Sequence, residues 1–429
     1  MTEPGAAVSP DTPRPLGPIL RQLTPSVFLP AMIYEIGNGA IAPIVALTAV
    51  GLGASPALAA LVVGFLGIGR VLGDIPASWL AERIGDRRAM VVAASLETVA
   101  LLGCFFSPSI ALFALALLIS GMATATFYLA RQSYLADVVA VAHRARAMST
   151  LGGSHRIGLF IGPFIGALFV GTFGLSSAYL VAIGATIAAA VLLLSIADLE
   201  PPSHTAAVRA DKSTRAVLFE HRLVFSTLGA TMIGCGAVLA ARQTVVPLWA
   251  EHLGIGPAET SLIFGTAGAV EIVLFYPAGK VADRFGRLAV ALPWMIVLGA
   301  AIVAVPFTVG PLSLTVVAIV MSIGSGIGAG TIMTLGADVA PLIGRLRFIG
   351  IWRVLSDSGF AAGPAVLSLI AVTTSLAAGI VVIGSVGLGA AVALRVFVPR
   401  HTDTRPSQPP RTPRPPQPRP PQPPPELLD

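Results

Sequence analysis

Short charged motifs recur in this chain at a fixed interval of 201 residues. The pentapeptide AERIG, Ala81 to Gly85, returns as ADRFG, Ala282 to Gly286. The pattern ADV-x5-R-x-R, Ala136 to Arg146, returns from Ala337 to Arg347, and G-x-x-x-G-P, Gly158 to Pro163, returns from Gly359 to Pro364. Pro56 and Pro76 match Pro257 and Pro277 at the same shift. Long apolar runs separate these motifs. The pattern predicts two homologous halves embedded in a membrane, the architecture in which internal repeats surround a central path.

Composition carries the same constraint. Apolar residues make up 55% of the chain and charged residues 11%, against roughly 25% charged in an ordinary soluble domain. Twelve apolar segments are long enough to cross about 30 Å of hydrocarbon. They lie near 27–50, 57–81, 89–107, 109–135, 147–172, 175–197, 222–250, 258–280, 288–309, 312–336, 347–372 and 375–397, and are numbered here as spans 1 to 12. Backbone in lipid must satisfy its own hydrogen bonds, so these segments are helices. The expected fold is all-α and integral to the membrane, with twelve transmembrane helices in two pseudo-symmetric six-helix bundles. The bundles occupy 25–197 and 222–398, with an arm at 1–24, a polar linker at 198–221 and a proline-rich tail at 399–429.

Basic residues set the orientation. Five of the 27 Lys and Arg fall well inside the spans, away from their ends: Arg70, Arg131, Arg156, Arg242 and Arg353. The rest lie on one side, in the arm, the linker, the tail and the loops after even-numbered spans. By the positive-inside rule both termini are cytoplasmic, in a multi-pass protein of the cell membrane. The pI near 9.9 is therefore a topology signal and not a sign of nucleic-acid binding. The arm lacks the charged start, short apolar core and cleavage site of a signal peptide. The tail reads as extended polyproline, either plainly solvated or open to a cytoplasmic partner that reads proline. Cys104 and Cys235 lie in apolar spans and suggest neither a disulfide framework nor a metal site.

At this point the residues resemble a known family. GKVADRFGR, Gly279 to Arg287, is similar to the loop signature of the major facilitator superfamily, and SWLAERIGDRR, Ser78 to Arg88, is a weaker copy. The sequence GLFIGPFIG in span 5, Gly158 to Gly166, resembles the motif of that superfamily's proton-coupled antiporters, which include multidrug efflux proteins. The resemblance implies a carrier working by alternating access. In it Glu82, Arg83, Gly85, Asp283, Arg284, Gly286 and Arg287 form conformational gate loops, and spans 1, 4, 7 and 10 line the central cavity. An arginine common in drug antiporters is replaced by Leu118, and Arg131 lies nearer Asp137.

In span 5, Gly158, Gly162 and Gly166 recur every four residues and make a smooth stripe, with Pro163 able to bend the helix. This stripe is expected to form a tight contact between the halves. Asp137 with Arg144 and Arg146, and Asp338 with Arg345 and Arg347, are expected to form charge networks beside the gate loops.

Ionisable groups within spans are the main site evidence, because each is costly to bury. The acids are Glu35, Asp74, Glu97, Glu271 and Asp357, with His155 beside Arg156. Asp74 follows Arg70 by four residues, and Asp357 follows Arg353 by four, so each pair shares a helix face and is expected to bridge within its own span. Glu35, in cavity-lining span 1, is the first candidate for a proton site, with a structural ion pair as the alternative. Glu271 is the second candidate. Arg156 and Arg242 either hold these acids or bind an anionic group. Arg131, His155, Asp74 and Asp357 complete the cavity candidates, and Glu97 is read as structural.

The expected activity is proton-coupled export of amphipathic or lipophilic small molecules; the alternative is a symport or uniport carrier for a small metabolite or organic anion. The expected partners are a small-molecule substrate, protons and the lipid bilayer, with a monomeric chain. No cofactor, no metal and no nucleic acid is expected. The chain lacks the phosphate loop of an ATPase and is not expected to be an enzyme.

Overall fold

The computed structural model describes residues 23–139, 141–195, 213–341 and 343–401. The arm before Leu23, the linker at 196–212, the tail beyond His401 and the Asp283 side chain lie outside the described residues, and so do the expectations placed on them. Every regular element among the described residues is helical.

Eleven helices are long and apolar enough to cross a bilayer, and the broken pair Thr24–Ile41 and Ile44–Gly51, bent by 40°, makes a twelfth span. That pair is span 1. Spans 2 to 6 are Pro56–Ile84, Asp86–Phe105, Ile110–Val138, Val141–Phe173 and Ser177–Ser195. Spans 7 to 12 are Arg222–His252, Pro257–Phe285, Leu288–Phe307, Pro311–Val339, Arg345–Thr373 and Leu376–His401.

Local chemistry places the ends. Pro56 and Pro257 open spans 2 and 8, where a missing N–H costs nothing. The Ser55 hydroxyl accepts from the Leu58 N–H at 3.3 Å, and the Ser109 hydroxyl does the same for Leu112 at 3.4 Å. Gly85 and Gly286 close spans 2 and 8 with φ of 85° and 89°, a conformation that excludes side chains. Pro43 lacks an N–H and breaks span 1 after Ile41. In span 10 the turn at Gly328–Gly330 separates Pro311–Ile327 from Thr331–Val339.

The glycine stripe of span 5 does not lie between the halves. A Cβ on Gly158 would sit 2.6 Å from Glu35 Cβ, one on Gly162 2.6 Å from Ala40 N, and one on Gly166 2.8 Å from Ala40 O. All three press on span 1, inside the first half. The copy in span 11 presses Gly359 and Gly363 on Ile233 and Ala237 of span 7, inside the second half. The spacing identified a close helix contact but not its partner, because a smooth stripe fits any neighbour.

The halves meet through spans 2 and 11 and spans 5 and 8. A Cβ on Gly67 would come within 2.6 Å of the Ala361 backbone, and one on Gly265 within 2.8 Å of the Phe164 ring. Their apolar packing is uneven along the helix axes. One core runs through the second half and crosses to Ile41, Ile44, Leu47, Phe113 and Tyr179 of the first. Those residues lie toward the side opposite the linker. On the linker side, Leu23, Phe28, Met90, Tyr134 and Leu193 form a separate core containing only first-half residues. The halves therefore share an apolar core on one side, whereas on the other the first half has a core of its own.

Gly162→Ala should destabilise the protein by about 1–3 kcal/mol through overpacking against span 1. Gly153→Ala, with nothing within 4 Å of the added atom, should be neutral or slightly stabilising. Thermal unfolding of both variants in detergent tests this; equal melting temperatures would contradict the packing.

Candidate functional site

Glu35 is fully buried in span 1 and has four polar neighbours. Arg131 of span 4 donates to Oε1 at 3.2 Å, Tyr128 donates to Oε2 at 3.0 Å, and Asn38 donates to Oε2 at 3.2 Å. His155 Nδ1 lies 2.8 Å from Oε1, an ion-pair distance at an angle poor for a hydrogen bond. Arg131 is itself only 5% exposed, and its guanidinium stacks 4.3 Å from the Tyr128 ring. A buried carboxylate needs a charge partner and further donors, and this site supplies both. His155 is partly exposed, at 27% of its side chain, and Tyr128 and Asn38 are also only partly buried.

Glu271 is the focus of a second cluster. Arg156 of span 5 donates to Oε1 at 2.8 Å, and Arg242 of span 7 donates to Oε2 at 2.9 Å. One carboxylate thus joins two guanidiniums and bridges the halves. The cluster lines a cavity of about 70 Å³ whose apolar wall includes Leu159, Phe160, Pro163 and Phe264. Spans 1, 5, 7 and 8 form this cavity, so its lining overlaps the expected set only at spans 1 and 7. Of the two roles open to Arg156 and Arg242, the structure places both on an acid.

A third cluster corrects the expected pairing of Arg70 with Asp74. Asp74 lies 3.4 Å from Arg353 of span 11, across the boundary between the halves, and Arg353 also lies 3.6 Å from Asp357. Arg70 instead points its guanidinium at the rings of Tyr128 and Phe360, at 5.9 and 5.7 Å. Spacing of four residues puts two groups on one helix face, but here the facing helix offered Asp74 a better-placed cation. The second and third clusters are related by the repeat: Arg70 is equivalent to Glu271 and Arg156 to Asp357, with charge inverted at both positions.

Glu97 is fully buried in span 3 and accepts from Ser120 at 2.7 Å. Its Oε2 has no hydrogen-bond partner. Tyr128 and Asn38 escaped the sequence reading although signals existed. Tyr128 precedes Arg131 by three residues and Asn38 follows Glu35 by three, so each shares a face with a charge already singled out.

The sequence profile described as Major Facilitator Superfamily matches residues 27–345 and 224–426. The chain belongs to the Major Facilitator Superfamily. Its members are carriers and not enzymes, and this chain has their multi-pass membrane fold. An uncharacterized MFS-type transporter of Methanocaldococcus jannaschii is 21% identical over 345 residues, 79% of this chain and 88% of that protein. Multidrug resistance protein Stp of Mycobacterium tuberculosis is 28% identical over 196 residues, 45% of this chain and 35% of that protein. The solved D-xylose-proton symporter has a TM-score of 0.68 at 17% identity, covering 90% of this chain and 99% of that one, a likeness of fold.

The major facilitator loop signatures are partly joined to their surroundings. Arg287 pairs with Asp338 at 2.9 Å, linking the loop after span 8 to the end of span 10. This ties the second loop signature to the charge motif expected beside it. Arg83 stacks 4.3 Å from Trp79, and Arg284 lies 5.2 Å from Phe285. Glu82, Gly85, Asp86, Arg88, Ser133 and Asp137 line a cavity of about 530 Å³ at the equivalent place in the first half. In the same half, Arg144 bonds the Val139 carbonyl at 3.0 Å.

Arg131→Met should cost about 3–5 kcal/mol, because it leaves the buried Glu35 carboxylate without its guanidinium. Arg131→Met combined with Glu35→Met should recover more than half of that loss. Unfolding of the single and double variants in detergent measures both; additive losses would show that the two side chains are not coupled.

Proposed function

We propose that this transporter exports amphipathic or lipophilic small molecules in exchange for protons, by alternating access, from the cytoplasm across the cell membrane. The observation that carries the reading is the contact between His155 and Glu35. Imidazole ordinarily changes charge between about pH 5 and 8. The exchanged proton is assigned to His155 because its ring lies 2.8 Å from Glu35 Oε1 and is 27% exposed. A protonated His155 is a second cation on Glu35; without that proton Arg131 is the one cation left there, beside the donors Tyr128 and Asn38. The partial similarity to a multidrug resistance protein agrees with export.

The uneven apolar packing supports the cycle. A shared apolar core opposite the linker, and none shared beside it, supports a cycle in which the cavity opens toward the linker side. The distribution of Lys and Arg assigns that side, and both termini, to the cytoplasm. The gate loops, including Asp283, lie on the same side and hold one arrangement of the halves. The chain acts as a monomer, and its proline-rich tail is available to a cytoplasmic partner.

The test is transport in proteoliposomes under an imposed pH gradient, using one cationic and one anionic fluorescent amphiphile. Movement of either probe should be driven by the gradient and accompanied by proton counterflow. His155→Asn should lower gradient-driven movement by about tenfold or more while leaving gradient-free exchange nearly unchanged. Co-directional proton flow would support the alternative symporter of a metabolite or organic anion. Movement indifferent to pH would support a uniporter. Intact coupling in His155→Asn would remove this residue from the proton site.

A further inference from the structure

We infer that the substrates carry an acidic group, and that a substrate carboxylate replaces Glu271 on Arg156. The inference rests on the transporter reading but on neither its direction nor its coupling to protons. It begins with the distribution of charge in the three clusters. Glu35 and Arg131 balance. Asp74 and Asp357 share the one guanidinium of Arg353, while Arg70 faces the rings of Tyr128 and Phe360. Arg156 and Arg242 share the one carboxylate of Glu271. The surplus positive charge therefore lies in the cluster that lines the cavity between the halves. Glu97 does not offset it, being fully buried beside Ser120 within the first half.

Movement of the halves makes this surplus directional. Arg156 belongs to the first half, whereas Arg242 and Glu271 both belong to the second. Parting spans 5 and 8 leaves Glu271 with Arg242 and carries the charge of Arg156 into the opened cavity. A carboxylate ligand can accept the same hydrogen bonds from Arg156 that Glu271 accepts at 2.8 Å. An ammonium ligand would find Glu271 already neutralised and Arg156 repelling it. At about 70 Å³ the cavity is too small for an alkyl or aryl body in this arrangement; its apolar wall of Leu159, Phe160, Pro163 and Phe264 would face one once spans 5 and 8 part. The ligand class is therefore an amphipathic organic anion, and ligand binding takes the place of a bridge that otherwise holds the halves together.

The experiment measures binding to the purified full chain in detergent, with no gradient present. The probes are 11-(dansylamino)undecanoate and a dansyl-undecyl-trimethylammonium of similar length. The carboxylate should bind about tenfold or more tightly than the ammonium. Glu271→Gln should tighten carboxylate binding severalfold, because it removes the internal competitor. Arg156→Gln should weaken it about tenfold, with partial recovery in Arg156→Lys. A purely structural bridge would not produce a gain of affinity in Glu271→Gln. Thermal melts establish that each variant is folded. Preference for the ammonium, no binding of the carboxylate to folded protein, or weaker carboxylate binding in folded Glu271→Gln would overturn the inference. Failure of proton coupling in liposomes would leave this result standing, and the converse holds as well.

Discussion

A charged side chain inside a slab of hydrocarbon has to bring its counter-charge with it. Most of what is specific in this transporter follows from that requirement. Apolar helices can pack against one another in many ways, since lipid tails are as apolar as leucine. Ion pairs have fewer options. Glu35 fixes spans 1, 4 and 5 to one another through Arg131, Tyr128 and His155. Glu271 fixes span 5 to spans 7 and 8 through Arg156 and Arg242. Arg353 fixes span 11 to span 2 through Asp74. The first cluster holds one bundle together, and the other two cross between bundles.

Glycine separates rigid contacts from mobile ones in a complementary way. Gly158, Gly162 and Gly166 bring span 5 against span 1, and Gly359 and Gly363 bring span 11 against span 7. Two of the four boundary helices, spans 5 and 11, are thus clamped from behind to their own bundles. A bundle built in this way transmits motion as a unit. The boundary itself is also packed closely, as at Gly67 against Ala361, and is crossed by the ion pairs of Glu271 and Arg353.

Much of the architecture was legible because hydropathy and the 201-residue repeat act over long stretches of sequence. The spans and their repeat follow from such signals, although spans 2 and 8 run past the expected ends near 81 and 280 to the glycines Gly85 and Gly286. The candidate charges were legible as well, since an ionisable residue within an apolar helix stands out. Their partners were less so. Periodicity relates residues on one helix but does not say which helix lies opposite. Asp74 was therefore assigned to Arg70 on its own span, whereas Arg353 lies closer across the boundary. The glycine stripe failed to name its partner for the same reason. That Arg156 would join Arg242 on Glu271 was one of two open roles, and only their positions in space decided between them.

The charge inversion between the repeats has a consequence for assembly. Spans 5 and 8 meet with Arg156 on one side and Glu271 on the other, and the positions equivalent to these in spans 11 and 2 are Asp357 and Arg70. Two copies of the first half, joined in the same geometry, would set Arg156 against Arg70. Two copies of the second would set Asp357 against Glu271. Either combination places like charges in a poorly solvated seam, whereas unlike halves bring opposite charges together. The duplicated bundles have thereby lost interchangeability: each carries in its seam the means to recognise the other and to reject itself.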